Sequence, residues 1–261
     1  LILPLWRAVR LGLHLGYGVA AAAVLLPWLG ESQRSSLIRR WSAHILHILD
    51  VRLQAEGMLP TADPRPALFV ANHVSWLDIW AINAVRPVRF VAKSEVRRWP
   101  IIGWLSEKAG AIFIERARRH DAARVSSAGA EALRGGHSVC VFAEGTTSDG
   151  TRLYPFKSAL LQSAVDAGTP VWPVALRYHD EDGRPNTAVA YAGETTLAQS
   201  LRAVLAQRET VVRLIFAEPI PATGRDRRAL AQAAQDAIAA LARLPVHAAP
   251  ERPADPRDGS P

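Results

Sequence analysis

Sulfur and lysine are nearly absent from this chain of 261 residues, which holds one cysteine, one methionine and three lysines. A lone Cys140 excludes an intrachain disulfide and any metal site built on several thiolates. It sits in the apolar run "SVCVFA" and reads as an inert core thiol, consistent with a reducing compartment. With lysine confined to Lys93, Lys108 and Lys157, arginine carries almost all of the positive charge, and the formal net charge is +7. Such a surface suits nucleic acid, anionic membrane or phosphorylated substrates. The first is disfavoured because the arginines are scattered and no stacking aromatics interleave them in a binding module. There is no internal repeat and no G-x-S-x-G nucleophile elbow, and "GHSVC" does not match one.

What is present is an apolar chain, 49% hydrophobic and 21% charged, long enough for one large core. Residues 11–29, "LGLHLGYGVAAAAVLLPWL", carry no formally charged side chain over about the length of a membrane span. Gly12, Gly16, Gly18, His14 and Pro27 count against a regular spanning helix. The missing small-x-small cleavage pattern counts against a signal peptide. Arginines on both flanks leave orientation open. In the next segment Leu37, Ile38, Trp41, Ile45, Ile48 and Leu49 recur at helical spacing, with Arg40, His44 and His47 on another side. A basic amphipathic helix beside an apolar one fits a hairpin lying in a membrane interface, with packing on a soluble core as the alternative. His44 and His47 have ligand-like spacing but no third ligand nearby, so they read as a solvated face.

Beyond residue 50, β-like runs appear near 51–56, 67–71, 88–92, 111–114, 138–143, 171–175, 188–192 and 211–217. Helical patterns fall near 76–85, 119–134, 154–167, 195–208 and 226–243. This alternation predicts an α/β fold, a largely parallel sheet flanked by helices. The chain divides into a membrane-facing helical segment (1–50), an α/β domain (51–243) and a Pro-, Ala- and charge-rich disordered tail (244–261).

Chemistry gathers where strands end. In "FVANHVSWLDIW", residues 69–80, His73 and Asp78 stand five apart, about 140° around an ideal helix, so they meet only if His73 precedes the helix. Ser75 is then the natural N-cap and Asp78 the third helical residue, an ordinary capping arrangement. The same geometry places both side chains at the carboxyl end of a strand, where α/β folds bind ligands. There Asp78 can hold one imidazole nitrogen and leave the other to take a proton. A base without a protein nucleophile implies that the substrate brings its own, such as a hydroxyl. "GAIFIERARRHD" ends a strand on Arg116, a candidate phosphate grip, with Arg118 and Arg119 as surface charge. In "VFAEGTTSDG", Glu144, Gly145, Thr146 and Thr147 form a turn whose amides and hydroxyls can face a ligand, although the composition also suits a plain turn. "TPVWPVAL" sets Pro173 inside a buried run, which implies an edge, a bulge or a ligand-lining wall.

In this order and spacing the segments resemble the lysophospholipid acyltransferase family, in particular bacterial 1-acylglycerol-3-phosphate acyltransferases. The motif N-H-x-x-x-x-D stands as Asn72-His73…Asp78, the strand ending in arginine as "GAIFIER" with Arg116, E-G-T as Glu144-Gly145-Thr146, and the proline-centred strand at Pro173. "FVAKSEV…PIIGW", with Lys93, Pro100 and Gly103, resembles the family's link between the first two motifs. The likeness covers roughly residues 35–220. It implies a glycerolphosphate acyltransferase-like fold and transfer of an acyl chain from acyl-CoA or acyl-carrier protein to the free hydroxyl of lysophosphatidic acid, giving phosphatidic acid. His73 and Asp78 would be catalytic, with Arg116, Glu144, Gly145, Thr146, Thr147, Pro173 and Lys93 as substrate-binding residues. It also implies no metal, no cofactor beyond the thioester co-substrate, no nucleic acid, and a place among membrane lipids on the cytoplasmic face of the inner membrane. Many members carry arginine after E-G-T where this chain has Thr147. That departure keeps another lysolipid, such as lyso-ornithine lipid, open as the acceptor.

Overall fold

The computed structural model describes residues 2–60, 65–114 and 119–248. The chain opens with helices α1 (Ile2–Val24) and α2 (Glu31–Ile48), then follows β1 (Val51–Gly57), β2 (Leu68–Ala71), α3 (Leu77–Val85), β3 (Arg89–Lys93), α4 (Ser94–Arg97), α5 (Ile102–Lys108) and β4 (Ile112–Ile114). It continues through α6 (Arg119–Arg134), β5 (Val139–Phe142), α7 (Gln162–Ala167), β6 (Val171–His179), α8 (Leu197–Ala206), β7 (Thr210–Phe216) and α9 (Arg227–Ala242). Among the described residues seven strands form one sheet in the order β1-β7-β6-β2-β5-β3-β4. Neighbours run parallel except β6 and β7, which pair antiparallel.

Both faces of this sheet are covered, which is why its central strands read as continuous apolar runs. Phe69, Ala71, Cys140, Trp172, Val174 and Leu176 face a core closed by Ile45 of α2 and Leu49 just beyond it, Leu77 and Ile82 of α3 and Val204 of α8. Leu68, Val70, Val139, Val141 and Ala175 face a second core closed by Leu133 of α6, Ala164 of α7 and Leu230, Ala234 and Ile238 of α9. Capping follows local chemistry. Asp226 accepts from the backbone N–H of Arg228 and Ala229 to start α9, and Thr196 with Gln199 forms a capping box on α8.

The N-terminal helix is not the uncharged run itself. It begins at Ile2, ends at Val24, and gives way to a 3-10 turn, Leu26–Trp28, as Pro27 interrupts it. Arg7 and Arg10 therefore lie inside the helix. Arg7 is buried, and its guanidinium donates to the carbonyls of Leu205, Gln207 and Arg208 and to Asp50 Oδ2 at 2.7 Å. A buried cation persists only with such partners, and here it fastens α1 to the end of α8. Gly18 lies against the Trp41 indole, where an added Cβ would come within 2.6 Å of the ring. The remaining face of α1 is apolar and exposed at Ile2, Trp6, Val9, Leu13, Tyr17 and Val24, a helical stripe.

Other expectations shift. The run near 188–192 is a 3-10 turn, Thr187–Val189, followed by irregular chain. Its amides bond locally and to the motif turns instead of joining a strand. β6 runs on to His179 because β7 returns beside it. The helix expected over 154–167 begins only with a 3-10 turn at Ser158, since Tyr154 and Phe156 give their N–H groups to Glu144 and Gln235. Helices α4 and α5 have no counterpart in the sequence reading. They are short, and joined by a γ-turn at Ile101 (φ 67°), where the Ile102 N–H donates to the Pro100 carbonyl at 2.7 Å. Within the expected tail, Pro245 and His247 bond Leu153, while residues 249–261 lie outside the described residues.

Candidate active site

Strand β2 ends at Ala71, and Asn72 takes over its ladder. The carboxamide donates to the Leu176 carbonyl at 3.0 Å and accepts from the Leu176 N–H at 2.7 Å, so a buried side chain stands in for one more strand residue. This frees the backbone to turn while still anchored to β6, and the next residue, His73, emerges at the strand's carboxyl end. Its Nδ1 lies 2.7 Å from Asp78 Oδ2. Because that oxygen also accepts from the N–H groups of Val74 (2.8 Å) and Ser75 (3.1 Å), it meets Nδ1 as an acceptor. The proton then sits on Nδ1, and Nε2 presents its lone pair. The imidazole lies flat on Phe142 at a centroid distance of 3.8 Å and an interplanar angle of 9°. Its side chain is 21% exposed, whereas the Asp78 side chain is fully enclosed.

Asp78 has a further partner that the sequence reading did not find. Tyr178 on β6 donates its hydroxyl to Asp78 Oδ1 at 2.5 Å, from a hundred residues away. Burial, then the neighbouring Asp78 charge, pushes the Tyr178 phenol well above its ordinary range, so it acts as a donor. An alternating-strand reading of "VALRYH" could have placed Tyr178 on the face of Leu176, but not opposite Asp78. The expected cap also differs. Helix α3 starts at Leu77 with Trp76 in the cap position, and Ser75 Oγ approaches the Leu77 N–H only at 3.4 Å. Asp78 itself reaches back to the turn.

The turn after β5 abuts the first. Glu144 is 2% exposed, and its two oxygens accept from the His73 N–H and the Tyr154 N–H, each at 2.8 Å. Burial pushes its carboxyl up to about 7, against the pull of those two bonds and with a further push from Asp78. Gly145 has φ +68°, a left-handed conformation suited to glycine, and a Cβ there would meet the Lys157 side chain. Thr146 is exposed; Thr147 donates its hydroxyl to the Tyr191 carbonyl, while the Tyr191 N–H donates to the Val74 carbonyl at 2.8 Å. Ser148 closes the pair of turns through its N–H to the His73 carbonyl, 2.8 Å. Tyr191 thus staples the two motif turns together.

The structure does not bring every candidate to this spot. Lys93 is exposed at the end of β3, with β5 standing between β3 and β2. Pro173 alternates with Trp172 and Val174 and so belongs to the opposite face of the sheet from α3. It marks a bulge: its carbonyl accepts from Ala217, and Val171 exchanges bonds with Ile220, so three steps of returning chain face two of β6. Arg116 and Arg118 lie outside the described residues. Burial, with a smaller push from Asp78, raises the Cys140 thiol far above its usual range, leaving an inert group. Among the described residues no group of three or more His, Cys, Asp or Glu side chains is arranged to hold a metal ion.

Comparisons with known proteins point to one family. A family model described as Acyltransferase matches residues 51–177, from the start of β1 into β6. The chain is 39% identical over 240 residues to the lyso-ornithine lipid O-acyltransferase of Pseudomonas aeruginosa, covering 90% of this chain and 91% of that protein. The chain belongs to the acyltransferase family. This acyltransferase is also 39% identical over 198 residues to the 1-acyl-sn-glycerol-3-phosphate acyltransferase of Neisseria meningitidis, with 76% of this chain and 77% of that protein covered. Its fold matches the crystal structure of the 1-acyl-sn-glycerophosphate acyltransferase PlsC from Thermotoga maritima at a TM-score of 0.72 and 22% identity, over 93% and 94% of the two chains. The acyltransferase is therefore an enzyme with a mostly parallel sheet flanked by helices and an apolar helix at its N-terminal end.

Proposed function

We propose that this acyltransferase moves a fatty acyl chain from a thioester, acyl-CoA or acyl-carrier protein, to the free hydroxyl of lysophosphatidic acid, with His73 as general base. The observation that carries the reading is the His73–Asp78 pair. One ring nitrogen is held by a carboxylate fixed by three further donors, and the other is left to accept a proton. Nε2 takes the hydroxyl proton as the oxygen attacks the thioester carbonyl. The C–O bond forms, the C–S bond breaks, and the imidazolium returns its proton to the departing thiolate. Asp78 steadies the imidazolium and keeps its tautomer. Glu144 supports this by holding the His73 backbone, and Arg116 is the proposed phosphate grip. The stripe on α1 would rest on the membrane that supplies the acceptor, at the cytoplasmic face of the inner membrane, and no metal or cofactor enters the step.

Lyso-ornithine lipid is the second reading of the acceptor. It is favoured by Thr147, which occupies the position after E-G-T with a hydroxyl bonded to Tyr191 and brings no positive charge to a phosphate. The likeness to the Pseudomonas protein over nine-tenths of the chain points the same way. Thiol release from acyl-CoA in detergent micelles, with lysophosphatidic acid, with lyso-ornithine lipid and without acceptor, separates the readings. Acceptor-dependent release should fall by about 10²–10⁴ in His73→Ala. Equal release without acceptor would instead mark a thioesterase, and the better lipid identifies the acceptor.

A further inference from the structure

Away from His73, a groove of about 730 Å³ lies between α1 and α2. One part of its lining is polar: the Arg40 guanidinium with the hydroxyls of Ser32 and Ser36 and the imidazoles of His14 and His44. The Arg40 guanidinium is exposed and, among the described residues, bonds along its own helix to Ser36 Oγ at 2.9 and 3.3 Å. The rings of His14 and His44 lie 4.7 Å apart, centroid to centroid. No carboxylate lines the groove, and Glu31, the acid of α2, turns to His137 at 3.2 Å.

The other part is apolar. Leu29 and Leu37 line it beside the Trp41 ring, which is stacked on His14 at 5.3 Å and tied to α1 by reciprocal bonds, Trp41 Nε1 to the His14 carbonyl and His14 Nε2 to the Trp41 carbonyl. Tyr17 shares both this lining and the exposed apolar stripe of α1, so the groove opens where the stripe would meet lipid. Donors for a phosphate beside an apolar, aromatic wall match an amphiphile; a free anion would use only half of the surface.

We propose that the α1–α2 groove binds the phosphate headgroup of an anionic membrane phospholipid, separate from the lipid being acylated. The proposal does not depend on which lysolipid is the acceptor. The test uses the full chain in detergent micelles, titrated with dihexanoyl phosphatidylglycerol, dihexanoyl phosphatidylcholine or inorganic phosphate, with bound fraction read by thermophoresis. Arg40→Gln should weaken phosphatidylglycerol binding about tenfold, the scale of one charge-assisted bond. Arg39→Gln, which removes the same charge from a neighbouring position outside the groove lining, should leave it unchanged. Equal weakening in both variants would reduce the effect to general surface charge and overturn the proposal. So would equal affinity for the zwitterionic lipid, or phosphate competing at the same concentration. Circular dichroism melting of each variant separates lost binding from lost folding, and Arg40→Lys should recover part of the affinity if a charge at that point is what binds.

Discussion

The turns after β2 and β5 each bury a carboxylate that accepts backbone N–H groups, yet they serve differently. Asp78 gathers two amides, a phenol and an imidazole, and its ring partner reaches solvent. Glu144, among the described residues, receives two amides, and burial holds its carboxyl near 7. The number and kind of donors, more than burial, decides which carboxylate can orient a base. The first turn carries the chemistry, and the second holds the first in place.

Three substitutions test this contrast. Asp78→Asn should have the largest effect: a neutral amide no longer favours the imidazolium and can present an N–H to Nδ1. Acceptor-dependent thiol release should drop by about 10³ or more, with a folded circular dichroism spectrum. A loss below tenfold would mean that the dyad is not the catalytic unit. Glu144→Gln should act on stability. A carboxyl whose folded pKa is raised to about 7 contributes stability that is fully present below its ordinary value near 4.5 and is lost as pH rises through 7. Glutamine does not titrate, so the variant's deficit in urea should be greater at pH 5 than at pH 8, by on the order of 3 kcal/mol at most. A deficit independent of pH would show that the buried carboxyl does not change charge across this range. Tyr178→Phe should have the smallest effect, removing one donor from Asp78 while preserving the ring. About 1 kcal/mol fits one hydrogen bond, hence a fall in kcat of up to roughly tenfold with KM little changed. A shift of the pH–rate profile should accompany it; a stability loss alone would make Tyr178 merely structural.

Sequence spacing located both turns because each requirement there is local. His73 had to precede the helix to meet Asp78, and Glu144-Gly145 had to follow a buried strand, and both stand so. Tyr178 and the ladder role of Asn72 were not legible, since each depends on β6 lying beside β2, a pairing about a hundred residues apart in the chain. The run near 188–192 looked like a strand because apolar alternation does not reveal whether a partner edge is free. Here β7 already occupies the outer edge of β6, and Tyr191 staples the two turns instead.

By itself, then, the sequence determined what short-range physics controls: strand and helix periods, the break at Pro27, the glycine turn, and a histidine and carboxylate of fitting spacing. Tertiary structure alone decided what depends on distant segments meeting. It buried Arg7 against the end of α8, set Tyr178 against Asp78, and placed Pro173 on the face away from the site. The reason is that a charge or phenol takes its role from the groups that replace its water, and those come from whichever segments the sheet order brings together.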